Sequence, residues 1–399
     1  MLAAATLTTA VYSSAPVQAA ETAPVSIGLV LAKQGNFGEL GTEAERGVML
    51  AAEQVNSKVL GRPIQVTWYD DPDPQTAQQN MAKLADSQHV VGIIAGNSSA
   101  SALAETAVAK RIKIPTIIAV ASAKDVTGAQ CNRYTFRTYY PADVATRAFV
   151  PAMMEKGRKW YFLTPNYAAG HDAYAAMKTD LVARGGTEVA NDLLPVGTTD
   201  FSSLILKIRQ ADPDVVAVSF SGADLTNFLK QYAQYKMPAH IAIGSPFFGE
   251  SSFWAIDKDA STGRYTTLWL YADPSNPPDE RLFAKTYQAK YGSPATLVAW
   301  EGWTSMRALL RAIEEAKSTD ARAIVGRLES IKWTDRPTPS YYRVWDHQFI
   351  HPLSIVDAHP PKRNKWDTFN IVKAVPDPGV DPDSIFGAKA QSACAMDDF

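Results

Sequence analysis

The sequence predicts an α/β fold in which two doubly wound halves share one chain, and three observations predict it. From Val25 onward, short apolar runs alternate with amphipathic segments in a strand–loop–helix rhythm, the pattern of a parallel sheet with helices on both faces. The chain has 399 residues, a length that suggests two domains. After an aromatic segment at Tyr134–Pro141 the cycle restarts, so residues 141–265 repeat the architecture of residues 24–138 without a convincing repeat of sequence.

The elements follow in order. Met1–Ala20 is rich in Ala, Thr, Leu and Val and ends in Val17-Gln18-Ala19, small residues suited to a leader cleavage site, although the usual basic start is missing. We set it apart as a signal-peptide remnant and expect an exported protein. Val25–Leu31 is a continuous apolar strand. Thr42-Glu43-Ala44-Glu45 reads as a capping box, with Ala44, Val48, Ala51, Ala52 and Val55 on one helical face. Ile64, Val66 and Trp68 alternate as a strand, and Asp73-Pro74 starts a helix with a cap and a proline at its first position. Val90–Ala95 and Ile114–Ala119 are buried parallel strands flanking an alanine-rich helix.

In the second half, a helix at about 143–155 precedes the strand Lys159–Leu163. A helix turning Tyr174, Met177, Leu181 and Val182 inward precedes a strand near Val189. Thr199-Asp200 caps a helix with Leu204, Ile205 and Ile208 buried. Asp214–Phe220 and His240–Gly244 are strands about a helix carrying Leu225, Phe228, Leu229 and Tyr232. Thr266–Ala272 reads as a strand before the stiff connection Asp273–Pro278. Helices follow at 279–291, 296–317 and 320–330, then antiparallel strands at 341–346, 353–357 and 366–375, and a Pro-, Asp- and Ala-rich tail.

Composition narrows the function. Hydrophobic residues make up 46% and charged residues 20%, which supports a full core and argues against disorder. Net charge is −2 with the two signs interspersed, so nothing points to nucleic acid or to an anionic membrane surface. Beyond the leader no run approaches eighteen apolar residues, and the mature chain is expected to be soluble. The two cysteines, Cys131 and Cys394, favour one disulfide over two buried thiols in an exported chain. That bridge would close most of the chain into a loop, worth at most about 4–5 kcal/mol.

Two strand tips stand out, Gly96-Asn97-Ser98-Ser99 and Ala119-Val120-Ala121-Ser122. A buried strand that ends in small hydroxyl residues where a helix begins exposes backbone N–H groups and short donors, which together hold an anionic or polar ligand head. Two such tips side by side at the carboxyl edge of one sheet form one wall of a crevice. Asn97 reads equally well as a turn residue.

Ile27–Asn56, Tyr69–Gln75, Gly96–Ser101 with Ala119–Thr127, and Thr199–Leu204 are modest signals singly but specific in their order and spacing. By them the chain resembles the type I periplasmic solute-binding proteins of ABC transporters, the leucine/isoleucine/valine-binding group, over nearly its whole mature length. Within that group it is similar to the branch with a cysteine after Asp125-Val126-Thr127-Gly128 and another near the C-terminus, which implies a Cys131–Cys394 bridge. The resemblance implies two Rossmann-like lobes joined by three crossover segments near 138–141, 268–274 and 345–352. Lobe I would comprise 21–139 plus 274–345 and lobe II 140–273 plus 346–376, with the tail 377–399 returning to lobe I. It further implies a site built from Phe37, Ser99 with Ser98 beside it, Ala121 and Ser122 in lobe I. Lobe II would add Tyr167, Ser221, Gly222 and the Pro246-Phe247-Phe248 loop.

One departure bears on the ligand. Amino-acid binders of this family place an acid in the 246–247 region to hold the ligand ammonium, whereas this chain has Ser245-Pro246-Phe247-Phe248 there. Asp224 is the nearest remaining candidate for that role, with a cap of the helix after Gly222 as its alternative reading. A buried ammonium without a carboxylate partner is costly. An aromatic or other hydrophobic carboxylate is therefore expected, its body stacked among Phe37, Tyr167, Phe247 and Phe248. The alternatives are a branched-chain amino acid or amide, or a ligand-sensing domain of the same fold.

Enzyme readings find little support. Gly35-x-x-Gly38-x-x-Gly41 is not a dinucleotide fingerprint. Asp346, His347, His351, Asp357 and His359 lack zinc spacing and read as a solvated hairpin. His171-Asp172 with Ser99 or Ser122 has no nucleophile elbow to support a triad. We expect no cofactor, no metal and no catalysis. The expected protein is a periplasmic monomer that presents a small organic ligand to ABC permease subunits by hinge closure.

Overall fold

The computed structural model describes residues 23–257, 260–396 and 398–399, so the leader expected at 1–20 lies outside the described residues. The first sheet is built from β1 (Val25–Val30), β2 (Lys58–Val59), β3 (Arg62–Tyr69), β4 (Gly92–Ala95), β5 (Thr116–Ile118) and β6 (Thr135–Arg137), in the order β2-β3-β1-β4-β5-β6. Its strands are parallel except β2, which pairs antiparallel with β3. The second sheet begins with β7 (Lys159–Pro165), β8 (Thr187–Leu194), β9 (Val215–Val218), β10 (Ala242–Ser245) and β11 (Gly263–Thr267), all parallel. A small antiparallel sheet follows, β12 (Lys332–Trp333), β13 (Ser340–Tyr342) and β14 (Phe349–Ile350). The chain then returns to the second sheet with antiparallel β15 (Leu353–Ala358) and β16 (Phe369–Val375), giving the order β16-β15-β11-β10-β9-β7-β8.

The continuous apolar runs at the strand tips are explained by burial on both faces. Successive residues of β4 and β5 enter two different cores. Ile94 and Ile117 join Val48 and Leu309 on one face, while Ile93, Ala95 and Ile118 join Met81, Leu84 and Ala102 on the other. In the second sheet Val215 and Ala217 face one core, Val216 and Val218 the other. Both sheets are doubly wound about a switch point. The chain moves outward from β1 to β3 and then crosses back to β4, and likewise from β7 to β8 and back to β9. Open α/β sheets bind ligands in the crevice beyond the carboxyl ends of the strands at such a point.

The helix Leu297–Ala316 lies across the helix Gly38–Gln54 at unusually close range. A Cβ on Gly47 would stand 1.8 Å from the Ala299 carbonyl oxygen, and one on Gly302 would stand 2.1 Å from that of Ala44. Only glycine at both positions lets the two backbones touch. That contact fixes the first turns of the helix Leu297–Ala316 against the first sheet's carboxyl edge.

Several expectations need correction. The helix near Thr42 begins a turn earlier, at Gly38, and the Thr42 hydroxyl donates to the Gly38 carbonyl at 3.0 Å, so Thr42 is an interior residue and no capping box forms. Val182 points to solvent with 58% of its surface exposed, although Met177 and Leu181 are buried as expected. The strand read at Thr266–Ala272 ends at Thr267, because Trp269 leaves the sheet to donate its indole N–H to Glu280 at 2.8 Å. The strand read at 341–346 stops at Tyr342, where Arg343 turns to pair with Asp346. Asp73 caps its helix as read, accepting from the N–H groups of Gln75 and Thr76.

Cys131 and Cys394 are joined in a disulfide that fastens the tail to the edge of the first sheet. On its way there the tail also lies against the helix Ala142–Met154 of the second half, where Arg147 donates to the Ile385 carbonyl.

Candidate ligand-binding cleft

The loops beyond β1, β4 and β5 form one wall. Asn97 sends its side-chain oxygen to the Ala32 N–H at 2.8 Å, tying the β4 loop to the β1 loop across the switch point. Ser98 caps the helix Ser99–Ile112 by accepting from the Ser101 N–H at 3.0 Å, which commits its hydroxyl to the chain. Ser99 and Ser122 are buried, and among the described residues neither hydroxyl has a hydrogen-bond partner. The first N–H groups of the helix Ser99–Ile112 adjoin Ser99, while Ser122 lies in the loop before the short 3-10 turn Lys124–Val126. Arg137 braces this wall from beneath, donating to the Ala123 carbonyl, to Thr127 and to Gln348.

The loops beyond β7, β9 and β10 form the opposing wall. Tyr167 extends its hydroxyl to the Ser219 carbonyl at 3.3 Å and lies 3.4 Å from the Ser221 hydroxyl, again across a switch point. Phe247 is buried in the cleft, and Phe248 turns its ring to Phe253, Tyr265 and Phe369 as well.

The two walls meet. The rings of Phe37 and Tyr167 pack edge to face at 6.4 Å. Asn36 accepts from the N–H groups of Ala223 and Asp224, at 3.3 and 3.1 Å. Gly222 sits at this contact with φ +63°, and a Cβ there would come within 2.4 Å of the Asn36 carbonyl oxygen. Between the walls lies about 640 Å³ of space, part of it open to solvent. Phe37, Asn97, Ser98, Ser99, Ala121 and Ser122 line it from one side, and Tyr167, Ser221, Gly222 and Phe247 from the other.

A sequence profile of the periplasmic binding protein family matches residues 24–363. The chain belongs to that family. Among its relatives is the Leu/Ile/Val-binding protein homolog 8 of Brucella abortus, 27% identical, with 83% of this chain and 86% of the relative covered. A Rhodopseudomonas palustris ABC-transporter solute-binding protein in complex with benzoate has the same fold. It superimposes with a TM-score of 0.79 at 23% identity, over 88% of this chain and 96% of that one. A second, from Rhodopseudomonas palustris BisB5 in complex with 3,4-dihydroxybenzoic acid, gives 0.82 at 20% identity, over 90% and 99%.

This binding protein has cleft residues that sequence reasoning missed. Tyr139, Val298, Ser252 and Glu301 also line the cavity. Tyr139 donates to the Tyr140 hydroxyl at 2.9 Å, and that hydroxyl lies 3.1 Å from the carbonyls of Pro246 and Thr266, so the pair joins the first crossing to the second sheet. Three buried carboxyls gather at the seam. Glu43 accepts from the Thr296 hydroxyl at 3.0 Å, and burial, with Glu39 adding, pushes it up to about 7. Glu250 accepts the Leu297 N–H on both oxygens, at 3.0 and 3.1 Å, yet burial still pushes it up to about 8. Glu301 is held well above the usual carboxylate range by burial and then by Glu250 and Glu43.

Asp224, the acid weighed from the sequence, does not line the cleft. It accepts the Gly197 N–H at 3.0 Å and so holds a neighbouring loop rather than capping its own helix. The sequence does carry one signal for Glu301, a lone acid inside the apolar run Leu297-Val298-Ala299-Trp300-Glu301-Gly302-Trp303. The stretch 346–359 is not the solvated hairpin expected: Asp346, His347 and His351 are buried, with Asp346 paired to Arg343 and His347 to Glu329 and the Thr135 carbonyl, while Asp357 pairs with Arg264. Among the described residues no helix is long and apolar enough to cross a membrane.

Proposed function

We propose that this periplasmic binding protein captures a small carboxylate with an aromatic or otherwise hydrophobic body and presents it to the permease of an ABC transporter. One observation carries the reading. The cleft offers an anionic head two unpartnered serine hydroxyls, that of Ser99 at the N-terminus of the helix Ser99–Ile112 and that of Ser122 in the loop beyond β5, offers its body Phe37, Tyr167 and Phe247, and has no Lys, Arg or His among its lining residues. Helix N-termini and hydroxyls hold a carboxylate without a basic side chain. Two proteins of the same fold hold benzoate and 3,4-dihydroxybenzoic acid, so the fold accommodates such ligands. The disulfide suits an oxidising compartment outside the cytoplasm.

The action is hinge closure about the three crossings, with Ser99, Ala121 and Ser122 taking the head first and the Tyr167–Gly222 wall closing over the body. No bond of the ligand is made or broken. A second reading, an amino acid, is favoured by Glu301, whose carboxyl would pair with an ammonium once ionised. Thermal-shift and tryptophan-fluorescence titrations with aromatic acids, aliphatic amino acids and short amides separate the two. Aromatic acids are expected to raise the melting temperature, by about 2.7 kcal/mol of stabilisation at a hundredfold excess over Kd. If only amino acids stabilise the protein, the proposal is wrong.

A further inference from the structure

Glu301 lies on the first turns of the helix Leu297–Ala316, which the Gly47 and Gly302 contacts fix against the cleft. Its side chain is fully buried and lines the cavity, and among the described residues neither carboxyl oxygen has a hydrogen-bond partner. One turn further along the same helix the buried Ser305 is paired, whereas Trp300 and Thr304 of that helix and Glu105 elsewhere also leave buried polar atoms without a partner; what sets Glu301 apart is that it lines the cavity. The Ser305 hydroxyl lies 2.7 Å from that of Thr138, which in turn lies 2.9 Å from the Tyr342 hydroxyl. A buried polar group left unpaired is destabilising by about 1–3 kcal/mol, so an unpaired carboxyl facing a binding cavity is best explained by a partner that arrives with the ligand.

The charge on Glu301 decides what that partner is. Among the described residues the ionisable groups acting on it are the carboxyls of Glu250 and Glu43 and the phenols of Tyr139 and Tyr140, with no cation among them. That company and its burial favour the protonated form of Glu301, which has one O–H to give and one C=O to accept. A ligand carboxylate placed beside it would face like charge as soon as Glu250 or Glu43 ionised, so the head belongs at Ser99 and Ser122.

We propose that Glu301 is the cleft's specificity residue and that it recognises a hydroxyl group on the apolar body of the ligand, so that the preferred solutes are hydroxylated aromatic acids. A hydroxyl can accept the carboxyl O–H and donate to its C=O, satisfying both oxygens at once. An unsubstituted ring leaves both unpaired, and a site built to bond a ligand hydroxyl rejects the analogue that lacks it. This inference rests on the aromatic-carboxylate reading above.

The test is calorimetric titration of the purified full chain with benzoate and with 3-hydroxy-, 4-hydroxy- and 3,4-dihydroxybenzoate, in the wild type and in the Glu301→Gln and Glu301→Leu variants. In the wild type at least one hydroxylated acid is expected to bind tenfold or more tightly than benzoate, on the order of one hydrogen-bonded pair. Glu301→Gln, which keeps a neutral donor and acceptor in the same shape, should retain that ratio to within about threefold. Glu301→Leu should collapse it to near unity. A ratio that survives Glu301→Leu removes Glu301 from recognition. Loss of the ratio in Glu301→Gln shows that the ionised form is needed and overturns the neutral-acid assignment. Failure of every aromatic acid to bind the wild type, seen before any variant is made, overturns the function reading and this inference with it.

Discussion

The two walls of the cleft are built alike and equipped differently. Each takes its residues from the switch point of a doubly wound sheet, and each spans that point with one side chain, Asn97 to Ala32 in the first half and Tyr167 to Ser219 in the second. The first wall ends in unpartnered hydroxyls on a frame braced by the buried Arg137. The second ends in rings, and its bridging hydroxyl makes longer bonds at the cleft surface. The difference teaches a division of labour. On the proposed function the first wall, Phe37 apart, would supply directional groups in place before the ligand arrives, and the second, Ser221 apart, would supply apolar area that gains contact on closure.

The largest test of this division removes the first wall's donors. Replacing Ser99 and Ser122 together by alanine is expected to weaken binding about a hundredfold or more, since each hydrogen bond to a charged head contributes about 1.5–3 kcal/mol. The apo melting temperature should hardly move, because neither hydroxyl bonds to any of the described residues. Unchanged affinity by calorimetry would take these serines out of the site.

A somewhat smaller effect belongs to the seam between the walls. Glu43 and Glu250, one from each half, are raised to about 7 and about 8 by burial. The folded state therefore holds protons that the unfolded chain releases near pH 4.5. Stability should fall as pH rises from about 4.5 to about 8 and level off above, a loss of about 2 kcal/mol or more. Glu250→Gln should flatten that decline, most visibly in urea unfolding at pH 8, and an unaltered pH profile would show that the seam is not protonated.

Gly222 tests closure alone. Alanine there would meet the Asn36 oxygen and adopt a left-handed backbone only at a strain of about 1–2 kcal/mol, and a form with the walls apart would avoid the clash. About tenfold weaker binding is expected, with small-angle scattering showing the liganded variant more open than the wild type. A liganded variant as compact as the wild type would separate this contact from closure.

How much of this was legible in the sequence follows the range of the interactions. Local chemistry announces itself: the buried β4 and β5, the Asp73 cap, and the small residues at strand tips are each read from a few neighbours. The Thr42 capping box failed because the chain enters its helix at Gly38 and Phe37, where no side-chain cap exists. Glu301 was out of reach for another reason. Its place in the cleft depends on Gly302 meeting Ala44 and on Ala299 meeting Gly47, contacts between helices far apart in the chain. Pro246 and Phe247 stand where the family keeps an acid, and Glu301 lines the cleft from a different helix.

The smallest and sharpest comparison sets the two bridging side chains against each other. Asn97→Ala leaves the buried Ala32 N–H without its 2.8 Å partner, and an orphaned buried donor is destabilising by about 1–3 kcal/mol. Tyr167→Phe removes only bonds of 3.3 and 3.4 Å and keeps the ring that packs on Phe37, so a loss under about 1 kcal/mol is expected. Thermal unfolding of both apo variants reads the contrast directly. If Tyr167→Phe destabilises as much as Asn97→Ala, the second wall is as firmly pre-built as the first and the division of labour fails. If Asn97→Ala alone is costly, the frame that holds Ser99 is shown to be rigid before any ligand reaches it, and the closing wall is free to adapt to the ring it covers.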